Sequence, residues 1–171
     1  MDRPGLDLDD WADWIMSIYV DLEKMESITR DEQPQPSLTP QYWEPRLLKL
    51  GPYHANDEDS HCKQMKRRVF LYSLKKYGKP MEAYVAALHG MAQNLKNAYE
   101  ELDPLYFQTD RDFLILMIVD GCVLVETLRE LRELSREGPY NWDHPLWDVD
   151  GSSRTDLVEN YKHDMMLLGG V

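Results

Sequence analysis

Cysteine and histidine side chains lie close together near residue 60, where a nucleophile or a metal site would need them. Cys62 could form a Cys–His pair with His61, His54 or His89. However, Cys62 falls on an apolar stripe, and a reactive thiol needs an electropositive, partly exposed setting. None of the paired zinc spacings, such as C-x₂-C or H-x₃-H, occurs in the surrounding cluster of His54, Asp57, Asp59, His61 and Cys62. We therefore expect no catalytic residue and no metal ligand here.

Calcium, nucleotide and serine-nucleophile motifs also fail. The stretch Asp148-Val149-Asp150-Gly151 is similar to part of an EF-hand loop, but its register puts Leu146 and Leu157 where carboxylates are required. Helix capping explains this polar loop better. No Gly-x-Ser-x-Gly elbow, P-loop or Gly-x-Gly-x-x-Gly occurs in the sequence. The sequence therefore predicts no cofactor and a protein that is not an enzyme.

Two short motifs are harder to explain by packing alone. Asp120-Gly121-Cys122 interrupts an apolar run. Because a buried carboxylate is costly unless it is paired, we expect a basic side chain of residues 63–79 to contact Asp120. Gly121 would allow close helix packing. In Gly51-Pro52-Tyr53-His54 we expect a turn, with Tyr53 covering the core edge and His54 capping locally.

Composition limits the class of protein. The 171 residues carry a net charge of −12, with 43% hydrophobic and 29% charged residues. This length suits one domain with its own core. The acidic balance argues against nucleic acid as a partner, since phosphate binding relies on Lys and Arg. With two cysteines, no signal peptide and no apolar run long enough to span a membrane, we expect a cytoplasmic chain.

Hydrophobic periodicity predicts an all-α fold with about five main helices. The predicted helices cover residues 10–28, 60–78, 80–104, 109–136 and 152–168. The Pro/Gly-rich residues 33–59 should be irregular, with a short extended segment at 46–50 and a linker at 33–40. We divide the chain into an N-terminal helical segment, 1–32, and a second part, 33–171.

The helix over 109–136 should be central. Thr109 and Asp112 resemble a capping box, and residues 113–125 are apolar on nearly every side. From Glu126 onward leucines alternate with charges, so this half should emerge at the surface. Residues 60–81 hold seven basic and no acidic side chains. We interpret them as a solvated face that docks against acidic surface.

The motifs in order resemble a plant family, the "domain of unknown function 247" proteins. The resemblance rests on Tyr42-Trp43-Glu44-Pro45, on Leu50-Gly51-Pro52-Tyr53-His54, on Tyr99-Glu100 and on residues 117–126. Ala55-Asn56 replaces a His-Gly pair of the family, and Val123 replaces a Phe. The family-motif residues carried over are Gly51, Pro52, Tyr53, His54, Asp120, Gly121, Cys122 and Glu126.

The resemblance implies a protein of unknown biochemical function, most simply an interaction or recognition protein. Some grass members are implicated in self-incompatibility. Asp164-Met165-Met166-Leu167-Leu168 begins a family segment, but Gly169-Gly170-Val171 follows. The chain is therefore interpreted as a truncated N-terminal portion, whose longer relatives are often membrane-associated through a C-terminal anchor. The alternatives are an uncharacterised enzyme and a non-functional truncated product.

Truncation predicts exposed apolar surface on the last helix. Residues 165–168 are four consecutive apolar side chains, which cannot all lie on one buried face. We expect this C-terminal helix to mediate self-association or binding to a protein partner, because exposed apolar patches usually mark interaction sites.

Overall fold

The computed structural model describes residues 7–25, 47–55, 60–99, 101–102, 107, 109–136, 142–147 and 154–168. The fold is all-α, as predicted. The α-helices in the described residues are α1 (Ala12–Lys24), α2 (Ser60–Tyr77), α3 (Met81–His89), α4 (Ala92–Asn97), α5 (Asp110–Leu134) and α6 (Arg154–Leu168). The predicted linker at 33–40 and the Asp148–Gly151 loop lie outside the described residues.

Two hydrophobic clusters share α2 and α5. The first cluster gathers α1, α3 and α4 around buried side chains that include Trp14, Ile18, Phe70, Val85 and Phe113. The second gathers residues 47–50, the 3₁₀ turn Pro145–Trp147 and α6 around side chains that include Leu48, Val69, Val123, Leu146 and Tyr161. The central position predicted for α5 is confirmed by these contacts.

Helix α1 begins later and ends earlier than predicted. A 3₁₀ turn, Leu8–Trp11, precedes it, and the Asp7 side chain accepts a hydrogen bond from the Asp9 N–H. The helix ends at Lys24, and residues 26–28 of the prediction lie outside the described part. Trp14 stacks on Phe70 of α2 with ring centroids 6.3 Å apart. Asp21 accepts a 2.9 Å hydrogen bond from Arg67 Nε, so α1 is fixed to α2 by rings and by charge.

The helix predicted over 80–104 is in fact two helices. α3 ends at His89, and α4 begins at Ala92 after the exposed Gly90 and Met91. The apolar periodicity continues across the break because Val85 and Ala92 are buried in the same cluster. Gly90 follows the last residue of α3, and the break falls there because glycine has a low helix propensity.

Helix α5 is capped as predicted, but polar residues of its second half are buried. Thr109 Oγ1 accepts a hydrogen bond from the Asp112 N–H. Beyond residue 125, Glu126, Thr127 and Glu130 are buried, whereas Leu128 is 49% exposed. The prediction that this half emerges at the surface therefore holds for Arg129, Arg132 and Glu133, which are exposed, and fails for Glu126 and Glu130. Its acidic face packs against residues 142–147, which supply polar partners.

Helix α6 is held by a buried carboxylate. Asp164 Oδ2 accepts hydrogen bonds from the N–H groups of Leu47 and Leu48, at 2.8 and 2.9 Å. Met166 and Leu167 are 66% and 37% exposed, so apolar surface remains at the end of α6 as predicted. Of the helices described, none is long and apolar enough to span a bilayer.

Candidate functional site

Asp120 is buried in the middle of α5 and contacts a base, as its position in the apolar run predicts. Lys66 Nζ lies 2.8 Å from Asp120 Oδ1, and the two side chains are 4% and 5% exposed. Asp120 Oδ2 accepts a 2.8 Å hydrogen bond from the Gly51 N–H. The carboxylate therefore joins α2 to the turn that begins at Gly51.

This contact brings the two sequence motifs together. Gly51 has a φ of 91°, a left-handed value that favours glycine, and Pro52 follows it at the first position of the 3₁₀ turn Pro52–His54. Burial raises the pKa of Asp120, while the Lys66 ammonium, the Gly51 N–H and the His54 ring lower it. The arrangement fixes backbone geometry and leaves neither charge facing solvent.

Tyr53 lies on the exposed side of this turn, whereas His54 is half-buried. The Tyr53 ring is 55% exposed and meets Tyr99 edge-to-face at 5.7 Å. Tyr99 in turn contacts the buried Phe113, so Tyr53 extends the edge of the core as expected. The capping role of His54 stays a prediction.

Gly121 does not serve close helix packing, contrary to the prediction. A Cβ placed on Gly121 would meet no atom within 4 Å. Gly121 and Cys122 instead line a cavity of about 520 Å³ among α2, α3 and α5. Burial, with a smaller contribution from Glu126, raises the pKa of Cys122 to about 11, so the thiol stays protonated at neutral pH. A nucleophilic role for this cysteine is thus disfavoured.

A second polar cluster was not anticipated from the sequence. Glu126 Oε2 lies 3.2 Å from His144 Nε2, and Glu130 Oε1 lies 4.0 Å from the same nitrogen. Lys76 Nζ is 3.7 Å from Glu126 Oε2, and Trp147 Nε1 donates to Glu130 Oε2 at 3.2 Å. Glu126, Glu130 and His144 are all buried. The cluster joins the loop of residues 142–147 to α5.

These three residues have the ligand types of a metal site, with candidate atoms within 4.8 Å of one another. The hydrogen bonds of His144 oppose that use. Its Nδ1 accepts a 3.2 Å hydrogen bond from the Leu146 N–H, so the proton of the neutral ring lies on Nε2, facing Glu126. A metal at Nε2 needs that proton on Nδ1, and the Lys76 ammonium already contacts Glu126. The geometry therefore suits a structural hydrogen-bonded cluster better than a cation.

His144 is held neutral by the same arrangement. Burial lowers its pKa, although Glu130 and Glu126 both raise it. If Nδ1 were protonated, it could no longer accept from the Leu146 N–H, and two N–H donors would face each other. The i,i+4 spacing of Glu126 and Glu130 placed both on one helix face. Nothing in the spacing indicated that residues 142–147 would cover that face.

Comparison with known proteins gives a family and a distant relative. The sequence profile of a family described as "Plant protein of unknown function" matches residues 31–169. A UPF0481 protein of Arabidopsis thaliana is 24% identical over 93 residues, which are 52% of this chain and 19% of the relative. The chain thus spans much less than two thirds of that curated relative. No solved structure matches the chain. Because the profile covers most of the sequence, the chain belongs to the plant family called domain of unknown function 247.

Proposed function

We propose that this protein acts by binding another protein through the exposed apolar end of α6. The observation that carries the proposal is the exposure of Met166 and Leu167, which directly follow the buried Asp164 and the half-buried Met165. Asp164 anchors this part of α6 to residues 47–48, so the apolar side chains are presented from a fixed helix. Adjacent exposed apolar side chains on a rigid element are a common feature of binding surfaces.

A non-catalytic role is supported by the state of the buried titratable groups. Asp120 is committed to Lys66 and Gly51, and His144 is committed to Glu126 and Leu146. A general acid or base needs an oxygen or nitrogen atom that is free to contact the proton transferred to or from the substrate. These groups instead hold neighbouring segments of the chain together.

Net charge favours a basic partner over a second copy. With a charge of −12, two copies of this chain repel each other at low ionic strength. A basic surface with apolar residues at its centre would complement both the charge and α6. A recognition role, such as the resemblance implies for some grass members, would be one form of this function.

The test is affinity capture from plant tissue with the full chain and two matched variants. Replacing both Met166 and Leu167 by Gln should remove the captured partner. Met16→Gln, at a 63% exposed methionine of α1, should retain it. Loss in both variants, or retention in both, would contradict a role for α6. Light scattering on the purified chain should give a monomer. A stable dimer that the α6 substitutions abolish would show that α6 binds a second copy of this chain and not another protein.

A further inference from the structure

The cavity beside Gly121 has the size and lining of a small-molecule site. Its volume is about 520 Å³, within the roughly 300–1,000 Å³ range of ligand pockets. Tyr84 and Leu88 of α3 form one wall. Met117, Ile118 and Val125 of α5 form another. The interior is therefore mainly apolar and suits a hydrocarbon or aromatic body.

The absence of a side chain at Gly121 keeps this space open. The backbone of Gly121 lines the cavity, and a Cβ added there would find no neighbour within 4 Å. Glycine in a helix interior is destabilising by roughly 1 kcal/mol relative to alanine. Since Gly121 does not permit close helix packing, its effect on the structure is to leave room between α3 and α5.

The mouth of the cavity is positive in a strongly acidic protein. Lys79 and the half-exposed Arg129 line it, against Glu126 as the one lining carboxylate among the described residues. Arg129 lies 4.8 Å above the Tyr77 ring and 3.4 Å from Glu126 Oε1, so its guanidinium is held at this edge. Lys76 also contacts Glu126, at 3.7 Å, and offsets its charge. Lys76, Lys79 and Arg129 together outnumber Glu126 at this edge, so an anionic group at the mouth would meet a net positive charge.

We propose that this cavity binds a small amphipathic anion, with the apolar body against α3 and α5 and the acidic group between Lys79 and Arg129. The site is separate from the α6 surface. Charge complementarity selects an anion, while the apolar walls select a body without polar groups. The neutral Cys122 thiol adds no charge to the interior.

Fluorescence titration of the full chain with 11-(dansylamino)undecanoic acid tests the site. The measurement uses 0.15 M salt, where the charges of acidic residues more than about 8 Å from the site are largely screened. We expect saturable binding, displaced by decanoate at roughly tenfold lower concentration than by decanol. Decylammonium should displace the probe least. Absence of saturable binding, or equal competition by decanoate, decanol and decylammonium, would overturn the proposal.

Two sets of variants assign the binding to this cavity. Gly121→Leu should fill the space and reduce probe affinity at least about tenfold, without lowering the melting temperature, since leucine favours the helix. Gly90→Leu is the matched control, because a Cβ at Gly90 also meets no atom within 4 Å but lies outside the cavity. It should bind like the unmodified chain.

The charge variant keeps the test independent of cavity filling. Replacing both Lys79 and Arg129 by Gln should remove the preference for decanoate over decanol and leave decanol competition unchanged. An unaltered preference would overturn the role of the two cations. Unaltered probe binding by a folded Gly121→Leu protein would overturn the cavity as the site.

Discussion

Buried carboxylates in this protein bind the backbone of one short segment. Asp164 accepts from the N–H groups of Leu47 and Leu48, and Asp120 accepts from the N–H of Gly51. Residues 47–51 form no regular structure, so these N–H groups have no helical or sheet partner. The two side chains thereby satisfy backbone donors that would otherwise be costly to bury.

Removing the charge of Asp120 should destabilise the protein strongly. Asp120→Asn keeps an oxygen for the Gly51 N–H but removes the carboxylate charge that lies 2.8 Å from the buried Lys66 ammonium. We expect a loss of about 3–5 kcal/mol in the free energy of unfolding, measured with urea. Adding Lys66→Met should restore part of it. Glu133→Gln, which breaks an exposed pair with Arg136, should lose less than about 1 kcal/mol; a similar loss in both would contradict the buried ion pair.

His144 should make the protein sensitive to mild acid. Because burial holds its pKa below the ordinary value of 6.5, the unfolded chain binds the proton more readily than the folded one. Its contribution to stability is full above pH 6.5 and is lost as the pH falls toward the folded-state pKa. The slope of unfolding free energy against pH is at most about 1.4 kcal/mol per unit.

His144→Gln keeps a donor toward Glu126 and should remove this part of the pH dependence. Urea unfolding between pH 5 and pH 7.5 measures the difference between the two proteins. Parallel curves over that range would show that His144 does not titrate on unfolding.

At the residue scale, the sequence predicted the unusual groups better than the ordinary ones. Asp120 stood out because a carboxylate within an apolar run requires a partner, and the basic residues 63–79 supplied it. Glu126 and Glu130 did not stand out, because glutamates that alternate with leucines are typical of an exposed helix surface. Their burial depends on residues 142–147, a contact that helical periodicity does not encode.

At the level of elements, α6 depends on a polar anchor as well as on apolar packing. Asp164→Ala would leave the buried N–H groups of Leu47 and Leu48 without an acceptor. We expect a loss of about 2–4 kcal/mol and faster hydrogen exchange at both amides. Asp164→Asn, which retains an oxygen, should be milder. Unchanged exchange in Asp164→Ala would indicate that apolar contacts alone hold this segment.

The glycines at the ends of elements should respond in opposite directions to alanine. Gly90 has a helical φ of −79° and free space for a Cβ, so Gly90→Ala should stabilise the protein by roughly 0.4–1 kcal/mol. Gly51 has a φ of 91°, so Gly51→Ala should destabilise it by about 1–2 kcal/mol. Thermal unfolding compares the two variants, and equal shifts would contradict the backbone assignment.

Most helix boundaries followed from local signals, whereas the break within 80–104 did not. Ser60 and Gly78 bounded α2, and Thr109 marked the start of α5. Gly90 gives no signal of a break in the sequence, because the apolar stripe continues through it. Periodicity reports which residues face the core, and it is insensitive to a turn that preserves that facing.

At the scale of the whole molecule, the two hydrophobic clusters are built on the same pair of helices. α2 contributes Phe70 to the first cluster and Val69 to the second, while α5 contributes Phe113 and Val123 respectively. Neither cluster can lose these helices without disturbing the other. The structure therefore favours one cooperative unfolding transition.

Tryptophan fluorescence can test this cooperativity. Trp14 lies in the first cluster and Trp147 in the second. In each variant that retains one of these two and carries Phe at the other tryptophans, the fluorescence transition in urea should coincide with the loss of helical circular dichroism. Separated midpoints of the two signals within one variant would show that the clusters unfold independently.

The position of α1 has a consequence for where this domain begins. The family profile starts at residue 31, yet Trp11, Trp14, Ile15 and Ile18 belong to the first hydrophobic cluster. A chain trimmed to the region of family similarity would uncover Phe70 and Leu71 of α2 and leave Arg67 without Asp21. The hydrophobic core of this protein thus extends N-terminal to the residues that the family profile matches.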